Sequence, residues 1–352
     1  MSSIIEQVAH PTYADFGLSE NIDPLFKNNI PVTLNTWLTI RTEIKSQWQD
    51  VLGHASFTTY DHTAEIIYRF DQPTYHATVF KQPTGPTTRQ TVLLMTPKNP
   101  LPTPQPGMVI PFYNPDRMVG INIETQARLT EESPLIQFGR HLVEQGYAIV
   151  CTEAFPYNTV SEPQKNVGFA WWQKGAEKLL QDNPHWTGIA KLAYDTSRAL
   201  DLLLAQPHID PQRVGVMGHS LGGKMAFYAG CLDERFQAIV GSDFGMGWSF
   251  TNWSAPWYLG EQINHSDFKL AHHHLLSLFA PKPFLLFGGE ADRPATWQYL
   301  EEARKVYTLY EKPENIGFFD HATGHRPTEE SLHMAYGWLA EQFKVTPHAW
   351  SL

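Results

Sequence analysis

Ser220 stands in Gly218-His219-Ser220-Leu221-Gly222, a Gly-x-Ser-x-Gly sequence between the β-branched run Arg213-Val214-Gly215-Val216-Met217 and the helix-forming run Gly223-Lys224-Met225-Ala226-Phe227-Tyr228-Ala229. A strand that turns sharply into a helix leaves a serine hydroxyl exposed at the sheet edge, and flanking glycines let strand and helix approach closely. Such a serine is a candidate nucleophile. A hydroxyl is weakly nucleophilic at neutral pH, so it needs an imidazole to take its proton and a carboxylate to orient that imidazole. His321 and His325 both lie past the last strand-like run, ahead of the helix start at Glu329-Glu330. Asp292 closes a strand-Gly-Gly segment; Glu290 and Asp320 are alternatives, and Asp292 is also placed to cap a helix beginning near Pro294.

These residues need a scaffold. From Glu65 to Pro97 three runs alternate and turn like antiparallel strands: Glu65 to Phe70, His76 to Phe80, and Thr91 to Met95. Strands and helices then alternate. A proline-rich connection, Pro97 to Gly107, leads to the strand Met108 to Phe112. Ser133 and Pro134 open an expected helix that Gly146 closes, and Tyr147 to Cys151 is strand-like. A helix is expected over 188–205, from the spacing of Leu192, Thr196, Ala199, Leu200 and Leu203. Beyond Ser220 lie the strands Phe236 to Val240, Pro283 to Phe287 and Asn315 to Phe319. The fold class is α/β, with a mainly parallel sheet, antiparallel N-terminal strands and helices on both faces.

Three stretches carry a resemblance. Ile209 to Gly223 resembles the nucleophile approach of the α/β-hydrolase superfamily, and in particular of its dienelactone-hydrolase-like and acetylxylan-esterase-like carboxylic ester hydrolases. Leu286-Phe287-Gly288-Gly289-Glu290-Ala291-Asp292 resembles the acid loop, and Ala322-Thr323-Gly324-His325 the histidine loop. The order Ser, Asp, His is the one this fold uses. The resemblance covers residues 60 to 345 and implies a Ser220-His325-Asp292 triad in a serine esterase, with an acyl-enzyme intermediate and no cofactor. Its substrate is a small or medium ester, an acetylated sugar among the options. A peptidase, an acyltransferase and a binding module on the same fold are the alternatives.

Acyl transfer also needs hydrogen-bond donors where negative charge develops, each worth about 3 kcal/mol in the transition state. The Leu221 N–H is one. The loop after the strand at Met108 reads Tyr113-Asn114-Pro115-Asp116 where many relatives carry His-Gly. The second donor is the Tyr113 N–H, its phenol or Asn114, since Pro115 has no N–H.

Residues 1–60 are expected to form an N-terminal helical arm, with Trp37, Ile40, Ile44, Trp48 and Leu52 at helical spacing, which packs on the core or builds a homodimer interface. Residues 61–352 form the catalytic domain, with lid-like insertions near 153–187 and 244–275. Trp248, Trp253 and Trp257 are expected to wall the substrate pocket beside His219, or else to pack the loop on the core. Phe169-Ala170-Trp171-Trp172 is a further lid candidate. His272-His273-His274 reads as a solvated helix face, because consecutive helical positions diverge by about 100° and cannot grip one metal ion.

With 26 Lys plus Arg against 36 Asp plus Glu, the formal charge of −10 argues against nucleic-acid and anionic-membrane partners. No apolar run reaches the length of a membrane span, and the first residues lack the basic-then-apolar pattern of a leader, so the expected location is the cytoplasm. Cys151 and Cys231 read as reduced core thiols.

Overall fold

The computed structural model describes residues 3–17, 20–26, 32–165 and 167–352. Two helices come first. Helix α1 (Ile4–Ala9) starts at a capping box between Ser3 and Glu6, and α2 (Leu34–Leu52) buries Trp37, Ile44, Trp48 and Leu52 along one face. Strands β1 (Glu65–Asp71), β2 (Tyr75–Pro83) and β3 (Arg89–Pro97) form an antiparallel meander. Then come β4 (Gln105–Pro111), α3 (Pro115–Val119), α4 (Phe138–Glu144), β5 (Ala148–Thr152), α5 (Phe169–Asp182), α6 (Gly188–Leu204) and β6 (Ile209–His219). The chain continues through α7 (Leu221–Leu232), β7 (Ala238–Ser242), α8 (His272–Phe279), β8 (Phe284–Gly288), α9 (Trp297–Leu309), β9 (Ile316–Asp320) and α10 (Glu329–Phe343).

Among the described residues, nine strands form one sheet in the order β1-β2-β3-β5-β4-β6-β7-β8-β9. From β5 to β9 every pairing is parallel, and β3 joins β5 antiparallel. Parallel strands demand a cover on both faces, because neither face of the sheet reaches water. Neighbours along β6 show it. Val216 belongs to the core cluster that holds Trp37, Trp48 and Leu286, and Met217 to the opposite cluster with Ile110, Phe287 and Trp338. Cys151 and Cys231 are both unpaired and buried.

Two local expectations change. The helix foreseen from Ser133 to Gly146 breaks at Gln137, whose backbone (φ −77°, ψ 53°) leaves the helical region. Residues Pro134–Ile136 make only a 3₁₀ turn before α4 begins. Gln137 is held there by its own side chain, which accepts from Arg140 Nε at 2.7 Å and seats against Gly120. The nucleophile strand is longer than foreseen, beginning at Ile209 rather than Arg213. A register shift against β4 between Gln105 and Gly107 accommodates the extra residues around Pro211.

Candidate active site

Ser220 follows the last residue of β6 and precedes the first of α7, with φ 53° and ψ −115°. A non-glycine residue in that region costs on the order of 1–3 kcal/mol, so the surroundings must enforce it. They do. The Ser220 N–H donates to Ser242 O at 2.8 Å, and a Cβ on Gly222 would lie 2.2 Å from the carbonyl oxygen of Pro111. Gly222→Ala therefore forces strand β4 away from the turn, and is expected to cost at least about 1–3 kcal/mol of stability, read from urea unfolding. An unchanged midpoint would mean that β4 yields freely.

Ser220 Oγ donates to His325 Nε2 at 2.9 Å, and His325 Nδ1 donates to Asp243 Oδ2 at 2.5 Å. Residues 105 and 82 positions apart in sequence thus form one hydrogen-bonded chain. Asp243 sits one residue past β7 at φ 43° and is fully buried. Its Oδ1 accepts from the N–H groups of Gly289, Glu290 and Asp292 at 3.0, 3.1 and 2.9 Å. Burial alone would raise its pKa, but His325 and these backbone donors outweigh burial and hold the carboxyl below the ordinary carboxylate range. Asp243 is therefore a carboxylate at neutral pH.

This corrects the assignment of Asp292 as the partner of His325. The Asp292 carboxylate accepts from Gly245 N and Met246 N at 2.7 and 2.8 Å and from Thr296 Oγ1 at 3.1 Å. Burial raises its pKa to about 6, with the Asp243 charge adding to the shift. Its side chain pins the loop after β7 instead of the imidazole. The Gly-Gly signal that pointed to Asp292 has a different use. A Cβ on Gly289 would lie 2.1 Å from the His321 ring and 2.3 Å from Gly324 O, so the turn that wraps Asp243 with N–H groups closes only without a side chain there.

The other candidates are placed as follows. His321 pairs with Thr323 Oγ1 at 2.7 Å, the Asp320 carboxylate accepts from Ala322 N at 2.7 Å, and the Glu290 backbone N–H donates to Asp243. The Leu221 N–H opens α7, where no carbonyl one turn back exists to receive it. Tyr113 lines the cavity above Ser220, and its carbonyl accepts from Ala154 N at 3.3 Å. Asn114 caps α3 by accepting from Arg117 N at 3.3 Å, which engages its side-chain oxygen.

The cavity that contains Ser220 and His325 has a volume of about 570 Å³. Its aromatic wall is Tyr113, Tyr157, Trp171 and Trp172, with Phe169 at the mouth. Phe169 is 64% exposed and stacks on Trp257 with centroids 5.2 Å apart. The wall thus comes mainly from residues 153–187, with Tyr113 added from the loop after β4, and the expectation for 244–258 is corrected. Trp257 lies behind Phe169 and Trp172 as a second layer. Trp253 is wholly buried, donating to Gly245 O at 2.7 Å, and Trp248 donates to Leu270 O at 3.1 Å while its ring lies 4.0 Å from that of His272. His219 is also outside the cavity. Its Nδ1 pairs with Ser242 Oγ at 3.0 Å, its ring lies 4.7 Å from that of His325, and burial holds its pKa well below the usual value.

The reason is that residues 244–258 interlock with α7 and α8. His272 donates from Nδ1 to Met246 O at 2.5 Å and accepts from Tyr228 OH at 2.8 Å. All three of His272, His273 and His274 are buried, which overturns the solvated face expected of them. Lys224 is only 3% exposed, with its Nζ 4.3 Å from the Trp253 ring centre, 4.1 Å from that of Tyr258 and 3.2 Å from Thr251 Oγ1. Burial lowers its pKa to about 7, with Asp292 pulling the other way. Between that value and about 10 the unfolded chain binds the extra proton, so this group makes stability rise with pH across that window. Lys224→Met is expected to flatten the rise by up to about 1 kcal/mol per pH unit, measured as urea midpoints at pH 7 and pH 9. Parallel curves for the two proteins would show that Lys224 stays charged.

Residues 190–345 match the model of the prolyl oligopeptidase family. A carbohydrate esterase, MZ0003, from an unknown prokaryotic organism is 26% identical over 195 residues, or 48% of this chain and 44% of that protein. A 4-O-methyl-glucuronoyl methylesterase of Neurospora crassa is 24% identical over 147 residues, 34% of this chain and 37% of that protein. The chain thus spans less than half the length of these two relatives. Among solved structures, a glucuronoyl esterase from Solibacter usitatus superposes with a TM-score of 0.67 at 17% identity, over 93% of this chain and 98% of that one. A glucuronoyl esterase from Teredinibacter turnerae superposes with a TM-score of 0.64 at 18% identity, over 92% and 89%. At such identities the likeness is one of fold.

Proposed function

The chain has the α/β-hydrolase fold, and from that premise we propose that it is a serine carboxylic ester hydrolase acting on sugar esters through an acyl-enzyme intermediate. One observation carries the reading: Ser220 Oγ, both nitrogens of His325 and the Asp243 carboxylate form a continuous hydrogen-bonded path at a cavity. In this reading His325 takes the Ser220 proton as Oγ attacks the ester carbonyl. Asp243 fixes the imidazole orientation and stabilises the imidazolium. The Leu221 and Tyr113 N–H groups face the oxygen on which charge develops. His325 then protonates the departing alcohol, and the acyl group leaves in the same way with water as nucleophile.

The sugar-ester half rests on the esterase relatives and on the aromatic wall, whose rings can stack on the apolar face of a pyranose. The match to the prolyl oligopeptidase family favours a second reading, a serine peptidase. The two separate by assay. Acetylated sugars, methyl esters of uronic acids and nitrophenyl esters of several chain lengths are compared with peptide nitroanilides. Turnover of sugar esters above both long-chain esters and anilides is expected. Anilide cleavage without ester cleavage would replace the proposal by the second reading.

A further inference from the structure

We propose that the cavity over Ser220 takes an ester that also carries an ionised carboxylate, held by Arg326 with help from Arg117 and Lys165. This rests on the ester-hydrolase reading and adds the charge of the substrate to it. A chain with a formal charge of −10 would be expected to show acidic side chains at its openings. Among the described residues, three cations, Arg117, Lys165 and Arg326, line the cavity against one carboxylate, Glu162.

Arg326 directly follows His325, and among the described residues its guanidinium has neither an ion pair nor a hydrogen bond. Among the described residues, Arg117 is tethered at one atom only. Its Nε lies 3.1 Å from Glu132 Oε1, its guanidinium carbon lies 5.1 Å from the Tyr113 ring centre, and both terminal nitrogens remain free to donate. The two guanidiniums act on the same phenol: burial raises the pKa of Tyr113, and Arg117 and Arg326 pull it back. They therefore flank one wall of the cavity. A guanidinium offers two parallel N–H groups that match the two oxygens of a carboxylate, a geometry an ammonium lacks. Because Arg326 neighbours the imidazole that protonates the leaving oxygen, the charge is placed on the alcohol half of the ester.

Paired esters test this. On the alcohol side 4-acetoxybenzoate is compared with its methyl ester. On the acyl side the mono-4-nitrophenyl ester of glutaric acid is compared with 4-nitrophenyl pentanoate. Each rate is normalised to spontaneous hydrolysis. In the first pair kcat/KM is expected to favour the anion by about tenfold, mainly through KM, as for a charge-assisted hydrogen bond at a partly exposed site. The preference is expected to fall towards unity in Arg326→Gln and to shrink as salt is raised. Because the readout is a ratio within one protein, a general loss of activity in the variant does not affect it. A preference confined to the acyl pair would move the charge to the other half of the ester and overturn the placement. A ratio below about threefold in both pairs, or one that Arg326→Gln leaves unchanged, overturns the inference while the ester reading stands. If no ester is hydrolysed the ester reading itself falls. Slower labelling of Ser220 by a fluorophosphonate in glutarate than in glutaramide then decides the charge question alone.

Discussion

Ser220→Ala is expected to lower ester turnover by about 10⁶-fold, and His325→Ala by a similar factor, with the double variant little worse than either single one. The non-additivity follows from geometry. Ser220 Oγ and His325 Nε2 share one hydrogen bond at 2.9 Å, so removing either end leaves nothing for the other to do. The control is His321→Ala. His321 is bonded to Thr323 and supports the turn at Gly289, so its loss is expected to cost some stability and leave most turnover. Single-turnover rates on an activated nitrophenyl ester measure all four variants. Equal losses at His321 and His325 would sink the assignment of the base.

Asp243→Asn is expected to lower turnover by about 10⁴-fold with little change in KM, because an amide facing His325 Nδ1 favours the wrong tautomer. Asp292→Asn tests the competing carboxylate. Its two oxygens receive the Gly245 and Met246 N–H groups, and an asparagine offers one acceptor in their place, so about 1–3 kcal/mol of stability is expected to go. Turnover of the folded fraction should fall by no more than about tenfold. The reverse pattern, with Asp292→Asn the dead enzyme and Asp243→Asn merely unstable, would restore Asp292 as the partner of the histidine. Measuring unfolding midpoints beside kcat keeps the two effects apart.

How much of this was legible in the sequence depends on how local each feature is. The strand-turn-helix at Ser220 is local: β-branched residues, four glycines and helix formers fall within 20 residues, and the geometry matches the expectation. The parallel sheet was legible because, beyond the antiparallel N-terminal strands, strand-like and helix-like runs alternate along the chain. Asp243 was not legible. Its one signal is an acidic residue directly after the strand at Ser242, and β7 and β8 end side by side, so each offers a carboxylate at the same edge. The choice is made by the backbone at 288–292, which points its N–H groups at Asp243 and carries Asp292 the other way. The pocket wall failed for a related reason. Two insertions are equally rich in aromatic residues, and which one faces the cavity is set by partners such as Lys224, Tyr228 and His272, far away in the chain. The histidine run was misread because polarity was taken for exposure, although a neutral imidazole with both nitrogens bonded, as in His272, is at home inside a core.

The described residues of the N-terminal arm are fastened to the same machinery. Tyr13 OH accepts from Asp320 N at 2.7 Å, at the root of the histidine loop, and the Glu20 carboxylate accepts from Trp248 N at 3.0 Å. Glu341 receives the N–H groups of Ile4 and Ile5 at 3.0 Å each, and the rings of Trp37 and Trp48 complete the core beneath α8. The arm is thus a poor cassette for shuffling between homologues. A chimera that kept residues 61–352 and borrowed a foreign leader segment would have to rebuild those seams before its proton relay could be trusted.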